Sequence, residues 1–148
     1  GNSIAKKSMI VRSFLDSNVI VYTDDPGAHD KRERAVALVE MGRRTGLGVI
    51  STQVLQEYFN ATTRKLDTPA EAARHKIEQL MRLHVVQVDP ALVLDAIDLH
   101  RLDRISIWDA LIVRAAAAAN CAELLTEDMQ AGRRFGGLRI VNPFADLP

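Results

Sequence analysis

Short apolar, β-branched runs alternate with amphipathic helical stretches along nearly the whole chain, and this alternation constrains the fold more than any other feature. Met9–Asp16 (MIVRSFLD) reads as a strand, with the turn-rich TDDPG as its exit loop. The next segment, His29–Gly46, places Ala35, Leu38, Val39 and Met41 on roughly one helical face and offers Gly46 as a stop. Gly48–Ser51 (GVIS) is a short second strand, and Thr52–Leu66 is helical with Thr52 as its cap. Thr68, Pro69 and Glu71 form a helix start, with a cap, a proline at the first helical position and an acid three beyond the cap, for a helix running to about His84. Val85–Val88 is a third strand, and Asp89–Pro90 opens a helix through Leu102. Ser106–Asp109 opens an alanine-rich helix, and Glu123–Thr126 and Leu138–Val141 are the last two strands. Strands that alternate with helices build a mostly parallel sheet covered on both faces, a three-layer α/β/α sandwich with about five strands.

A chain of 148 residues, 47% apolar and 26% charged, suits a single domain with its own core. Residues 9–148 are read as that domain, and residues 1–8 (GNSIAKKS) as an N-terminal extension or cloning remnant with no signal-peptide character. Lys+Arg and Asp+Glu balance at 19 each, so no global field attracts a polyanion, and any such binding must come from local clusters. A lone cysteine, Cys121, forms no internal disulfide and fits a small buried residue in a reducing compartment. No apolar run reaches the length of a membrane span, so a soluble cytoplasmic protein without a membrane partner is expected.

In an open α/β sheet the functional crevice lies at the carboxyl ends of the strands. Asp16 ends the first strand, and Asp128 follows the fourth by two residues. Asp109 begins a helix that runs antiparallel to the strand it feeds, and Glu57 lies in the second turn of the helix leaving GVIS. All four are thereby brought to one rim. Each acid also has a local role open to it. Ser106 and Asp109 match a capping box, Asp16 could cap a turn, Asp128 could cap a short helix over EDMQAG, and Glu57 could be a solvated helix charge. Local capping does not explain why all four face one edge. Crowded carboxylates repel, and a hard divalent ion, Mg²⁺ or Mn²⁺, resolves that conflict with oxygen ligands alone. Such an ion activates water against a phosphodiester. His29, His75, His84 and His100 fall in separate elements without ligand spacing, and the chain has no phosphate-binding glycine loop or nucleophile elbow.

FLDSNVIVY (Phe14–Tyr22), STQVLQEYFNATTRK (Ser51–Lys65), SIWDALIVRAAAAANCAELLTEDMQAG (Ser106–Gly132) and GLRIVNPF (Gly137–Phe144) resemble, in order, the signature blocks of PIN-domain ribonucleases, most closely the VapC-type toxins of bacterial toxin–antitoxin pairs. The resemblance implies a sandwich fold. It implies Asp16, Glu57, Asp109 and Asp128 as catalytic, metal-binding acids, with Ser17, Asn18 and Thr126 as supporting polar residues. Serine stands at position 17 where the family more often has threonine, and Glu127 leaves open which of two adjacent acids faces the site. The expected activity is Mg²⁺- or Mn²⁺-dependent endoribonuclease cleavage of structured RNA. The expected partners are that RNA, an antitoxin that plugs the site and a second copy of the chain.

Arg64, Lys65, Arg133 and Arg134 flank the acid-bearing blocks and are the candidate RNA-binding cations. Ile77, Leu80, Met81 and Leu83 offer an apolar stripe for a twin chain or for the core. Other enzyme classes with an aspartate after the first strand require residues that this chain lacks. A dehalogenase-like phosphatase needs an aspartate where Asn18 stands, and a receiver domain needs a lysine after a late strand. A nuclease of RNA maturation without an antitoxin, or a non-catalytic binding module, would use the same acids.

Overall fold

A computed structural model of the protein describes residues 9–148, and the extension read over residues 1–8 lies outside them. The sheet is mostly parallel, as the alternation predicts, but has six strands. They are β1 (Ser13–Leu15), β2 (Gly48–Ser51), β3 (His84–Val86), β4 (Glu123–Leu125), β5 (Arg134–Phe135) and β6 (Leu138–Val141). Their spatial order is β3-β2-β1-β4-β6-β5, with every pairing parallel except β5 with β6. Two residues are too few to give a periodic signal, which is why β5 does not stand out in the sequence. Its turn with β6 is set by Gly136, whose φ of 60° is open to glycine without strain.

Among the described residues six helices accompany the strands: α1 (Ser17–Tyr22), α2 (His29–Thr45), α3 (Thr52–Lys65), α4 (Ala70–Leu80), α5 (Pro90–Asp103) and α6 (Ile107–Ala118). Every residue of β1 and β2 is buried, so both faces of the sheet centre are covered. Helices α5 and α6 pack on each other, with α6 against β2 and β4. Helix α1 packs on α2 and α3, α3 on α4, and α2 on β2. Phe14, Leu15, Ile50, Leu124, Leu125 and Ile140 form the sheet's share of the core and are fully or almost fully buried. Cys121 is buried as expected, and burial pushes its thiol up to about 11.

Several boundaries differ from the sequence reading for identifiable reasons. Ser17–Tyr22 (SNVIVY) has strand-like composition but is helical, because Asp16 caps it from Oδ1 through the Ser17 amide at 2.7 Å and Val19 and Ile20 are buried. The cap of α3 is Ser51, whose Oγ accepts from the Val54 amide, whereas the Thr52 hydroxyl accepts from Val88 N. At α4 the cap position is Pro69, with no side-chain hydrogen bond, and Thr68 pairs instead with the Thr62 hydroxyl at 2.9 Å. That helix ends at Leu80 rather than near His84, which begins β3. Residues 127–132 form bends and a turn, not a short helix. The apolar stripe at the end of α4 and just beyond it divides: Leu80 and Leu83 enter the core, Ile77 is half-buried, and only Met81 is well exposed.

Helix α2 approaches β2 closely through two glycines. A Cβ built on Gly48 would lie 2.7 Å from Gly42 Cα and 3.0 Å from Leu83 Cδ2. The nearest clash is with backbone, which cannot rotate away, so Gly48→Ala should destabilise the protein by about 1–3 kcal/mol. Urea denaturation tests this, and an unchanged midpoint would mean that α2 moves away freely.

Candidate active site

The parallel register pairs Leu15 with Leu125, so the residues that follow, Asp16 and Thr126, emerge side by side between β1 and β4. This is where the strand order changes direction, with β2 and β3 to one side and β6 and β5 to the other. In a doubly wound sheet that switch point opens a crevice. The Asp16 amide donates to Leu125 O at 3.1 Å, and the Thr126 amide to Val141 O at 3.0 Å, so three adjacent strand ends are joined by backbone bonds.

Side chains complete the arrangement. The buried Thr126 hydroxyl donates to Asp16 Oδ2 at 2.8 Å. Asn18 Nδ2 lies 2.9 Å from Thr126 Oγ1, 3.1 Å from Asp128 Oδ2 and 3.4 Å from Asp16 Oδ2. Asn18 Oδ1 accepts from the Glu127 amide at 3.3 Å, and Thr126 Oγ1 from the Asp128 amide at 3.1 Å. Asp16, Asn18, Thr126 and Asp128 therefore form one connected network. The order of exposure is graded, with Asp16 buried, Glu57 and Asp109 intermediate, and Asp128 exposed.

Electrostatics tie the other two acids to this network. Burial pushes the Asp16 carboxyl up to about 6; hydrogen bonds from Thr126 and the Ser17 amide oppose that, and the charges of Glu57 and Asp128 add to it. Asp109 is also raised, first by burial, against a hydrogen bond with Ser106 and with the charge of Asp128. Asp128 thus acts on both Asp16 and Asp109. The Ser106 hydroxyl does cap α6 by accepting from the Asp109 amide at 3.0 Å, and it also hydrogen-bonds the Asp109 carboxyl, so the capping role read for this pair holds while the same carboxyl feels the charge of Asp128.

Adjacent acids after β4 separate. Asp128 turns to Asn18, whereas Glu127 accepts hydrogen bonds from the Tyr22 hydroxyl and from Lys31 Nζ, the latter at 2.9 Å. Burial works to raise the Glu127 carboxyl, but those two bonds prevail and hold it below its ordinary range. One residue was not anticipated. Gln53, buried in the first turn of α3, donates from Nε2 to Glu57 Oε2 at 3.3 Å and to Trp108 O at 3.2 Å. It links two of the acid-bearing helices, and its only sequence signal is its position four residues before Glu57.

The candidate cations divide into two pairs. Arg64 and Lys65, both exposed, line a groove with Ser17, Glu57, Asn60 and Ala61, and Lys65 also lines an adjoining one with Asn18, Glu127 and Asp128. Arg133 is engaged elsewhere, 3.8 Å from Asp103 and over the Phe135 ring at 4.6 Å, and Arg134 lies in β5 at the far end of the sheet order.

Oxygen donors alone suit a hard cation, which usually keeps several waters and takes only one or two carboxylates directly. Among the described residues the one trio whose ligand atoms all lie within 4.8 Å of one another is His29, Asp30 and Glu33, which are exposed on the first turn of α2, so the strand-end acids stand farther apart. The absence of ligand spacing read for His29 is corrected to that extent, because consecutive turns of one helix bring side chains four apart together.

A family model described as the PIN domain matches residues 13–134. The chain belongs to the PIN-domain family. No curated protein sequence matches the chain. Solved structures share its fold: VapC20 of Mycobacterium tuberculosis, a sarcin–ricin loop cleaving toxin, is 20% identical over 76% of this chain and 86% of its own, with a TM-score of 0.62. A toxin–antitoxin complex from Klebsiella pneumoniae is 15% identical over 88% and 97%, with a TM-score of 0.64. DNA-bound VapBC from Salmonella typhimurium is 20% identical over 88% and 96%, at 0.62. Among the described residues of this PIN domain, no helix is long and apolar enough to cross a membrane.

Because the folded-state carboxyl of Asp16 is raised above its unfolded value of 3.8, its protonated form favours folding. That contribution is fully present below 3.8 and lost as pH rises through about 6. In metal-free buffer at about pH 7.5, Asp16→Asn should therefore raise stability by on the order of 1–2 kcal/mol, and the gain should disappear near about pH 4. Thermal melts in EDTA at the two pH values test it. An equal or lower melting temperature for the variant at the higher pH would mean that hydrogen bonding by the ionised carboxylate outweighs its burial.

Proposed function

We propose that the protein is a divalent-metal-dependent endoribonuclease acting on structured RNA, the toxin of a cytoplasmic toxin–antitoxin pair. The observation that carries this reading is the network joining Asp16, Asn18, Thr126 and Asp128 at the switch point of a PIN-domain sheet, with Arg64 and Lys65 along the adjoining grooves. Its four neighbouring acids fit Mg²⁺ or Mn²⁺, with Asp16 and Asp109 as principal ligands and Asp128 and Glu57 completing the shell through water or a second ion. Such an ion supplies a water of lowered pKa and neutralises charge on a phosphoryl oxygen.

The chain's own residues do the rest. Thr126 and the Ser17 amide hold the Asp16 carboxylate in one orientation, Asn18 orients Asp128, and Gln53 orients Glu57. A carboxylate fixed in this way is set to accept a proton from an attacking water. Arg64 and Lys65 are placed to hold phosphates on either side of the cut, and Arg133, committed to Asp103, adds less than its sequence position implies. Support for structured RNA comes from the shared fold with VapC20, a sarcin–ricin loop cleaving toxin, and support for an antitoxin from the neighbours that are toxin–antitoxin complexes. An arginine or lysine of that antitoxin would pair with the rim acids and compete with the ion. Self-association finds its apolar surface on α5, where Val93, Leu94 and Ile97 are exposed, more than on the largely buried Ile77–Leu83 stripe.

Purified protein with Mn²⁺ should cleave a structured RNA and leave 5′-phosphate and 3′-hydroxyl ends, because activated water rather than the ribose 2′-hydroxyl attacks. Asp16→Asn or Asp109→Asn should lower the rate at least about 100-fold. Cyclic 2′,3′-phosphate ends would rule the mechanism out. Expression of the wild type should arrest bacterial growth and the small neighbouring gene should restore it; RNA cleavage without arrest would instead indicate an RNA-maturation nuclease.

A further inference from the structure

Glu127 and Asp128 are adjacent carboxylates, yet only Asp128 hydrogen-bonds to Asn18 in the strand-end network. The cause lies outside the site, on α2. We propose that Lys31 is a positioning residue which, through Glu127, fixes the loop after β4 so that Asp128 alone enters the acidic network. This inference rests on reading the strand-end acids as the nuclease site.

Lys31 Nζ reaches Glu127 Oε2 at 2.9 Å and the Tyr22 hydroxyl at 3.3 Å, and Tyr22 donates to the other Glu127 oxygen. Both carboxylate oxygens of Glu127 are thereby occupied by partners other than Asn18. The ammonium is itself held in place, lying 5.0 Å from the centre of the Tyr22 ring and 5.8 Å from that of Phe144. The two rings meet edge to face at 5.1 Å. Phe144 is anchored by the C-terminal segment, where the buried Arg34 donates to Pro143 O at 2.6 Å and to both oxygens of Asp146 at 2.9 and 3.0 Å. A continuous set of contacts therefore runs from the end of the chain to the loop that carries Asp128.

Fixing the Glu127 side chain also fixes the backbone on either side of it. The Glu127 amide donates to Asn18 Oδ1 and the Asp128 amide to Thr126 Oγ1, and this geometry presents Asp128 Oδ2 to Asn18. Without the ammonium, Glu127 is a partly buried carboxylate whose remaining side-chain partner is a phenol. Rotating it out to water is the cheaper state, and that rotation releases the loop and brings a fifth negative charge toward the rim.

Lys31→Met tests the idea in two ways. In metal-free protein, the Glu127 and Asp128 amides should exchange hydrogen about tenfold faster than in wild type, while Leu124 and Leu125 in β4 keep wild-type rates. Lys31→Arg should stay near wild type, and Lys31→Met with Glu127→Gln should recover slow exchange, because a neutral amide leaves no unpaired charge. In RNA cleavage, Lys31→Met should lower kcat about tenfold in the wild-type background and have no further effect in Asp128→Asn, since its action passes through that residue. Unchanged exchange at Glu127 and Asp128, or a uniform increase that includes β4, would overturn the proposal. A wild type that cleaves no RNA would defeat the nuclease reading while the exchange experiment still decides the role of Lys31.

Discussion

The hydrogen bond from the Thr126 hydroxyl to the Asp16 carboxylate spans the point at which the sheet reverses its strand order, and the site depends on it. It is possible only because β1 and β4 are parallel and in the register that pairs Leu15 with Leu125. A slip of one residue would turn Thr126 to the opposite face and leave Asp16 buried with only backbone and Asn18 for partners. The fully buried pairs beneath, Phe14 with Leu124 and Leu15 with Leu125, make such a slip expensive, since it would also turn the apolar side chains out of the core. Core packing and site geometry are thus specified by one register.

The site in turn works against the fold. Asp16 is almost completely buried among other acids, and its raised pKa is the direct expression of that conflict. The structure answers the conflict with a small number of donors, the Ser17 amide and the Thr126 and Asn18 side chains, none of which carries a charge. A lysine or arginine in the same place would relieve the repulsion more fully, but would also occupy the space in which a cation is expected to act. Neutral donors orient the acids and leave their net charge in place. The positive partners are kept one step back, with Lys31 on Glu127 and Lys76 on Asp24, itself bonded to Tyr58.

The parts of this arrangement legible in the sequence are those set by long-range pattern. Alternation of runs such as GVIS and ELLT with helical segments gives the parallel sheet, and with it the placement of Asp16, Glu57, Asp109 and Asp128 at one edge. Local competition hid the rest. SNVIVY has β-branched composition, and only the cap from Asp16 and the burial of Val19 and Ile20 make it helical. The cap falls on Ser51 and not on the expected Thr52, because adjacent hydroxyls are equivalent as letters, whereas Ser51 faces the Val54 amide and Thr52 faces Val88. Gln53, Tyr22 and Lys31 act through contacts with residues 55, 105 and 96 positions away, and no periodicity records such pairs.

A chain with balanced charge can still present a local cationic surface where unpaired bases collect in one place. Lys31, Arg34, Arg43, Arg74, Lys76 and Arg133 each lie within salt-bridge distance of an acid. Arg64 and Lys65 have no such partner among the described residues, and they stand at the end of α3, exposed along the grooves that reach Ser17 and Asp128. The helix carbonyls at that end carry partial negative charge and favour cations there even before a ligand arrives. Acids concentrated at the strand ends and unpaired bases along their rim separate charge across one short stretch of surface. On the proposed function, a phosphodiester backbone would be attracted to the rim, while its approach to the acids themselves would be opposed until a cation intervened. On the proposed function the same division would distinguish binding from catalysis: loss of Arg64 or Lys65 would weaken the hold on a polyanion, and loss of an acid would weaken the hold on an ion.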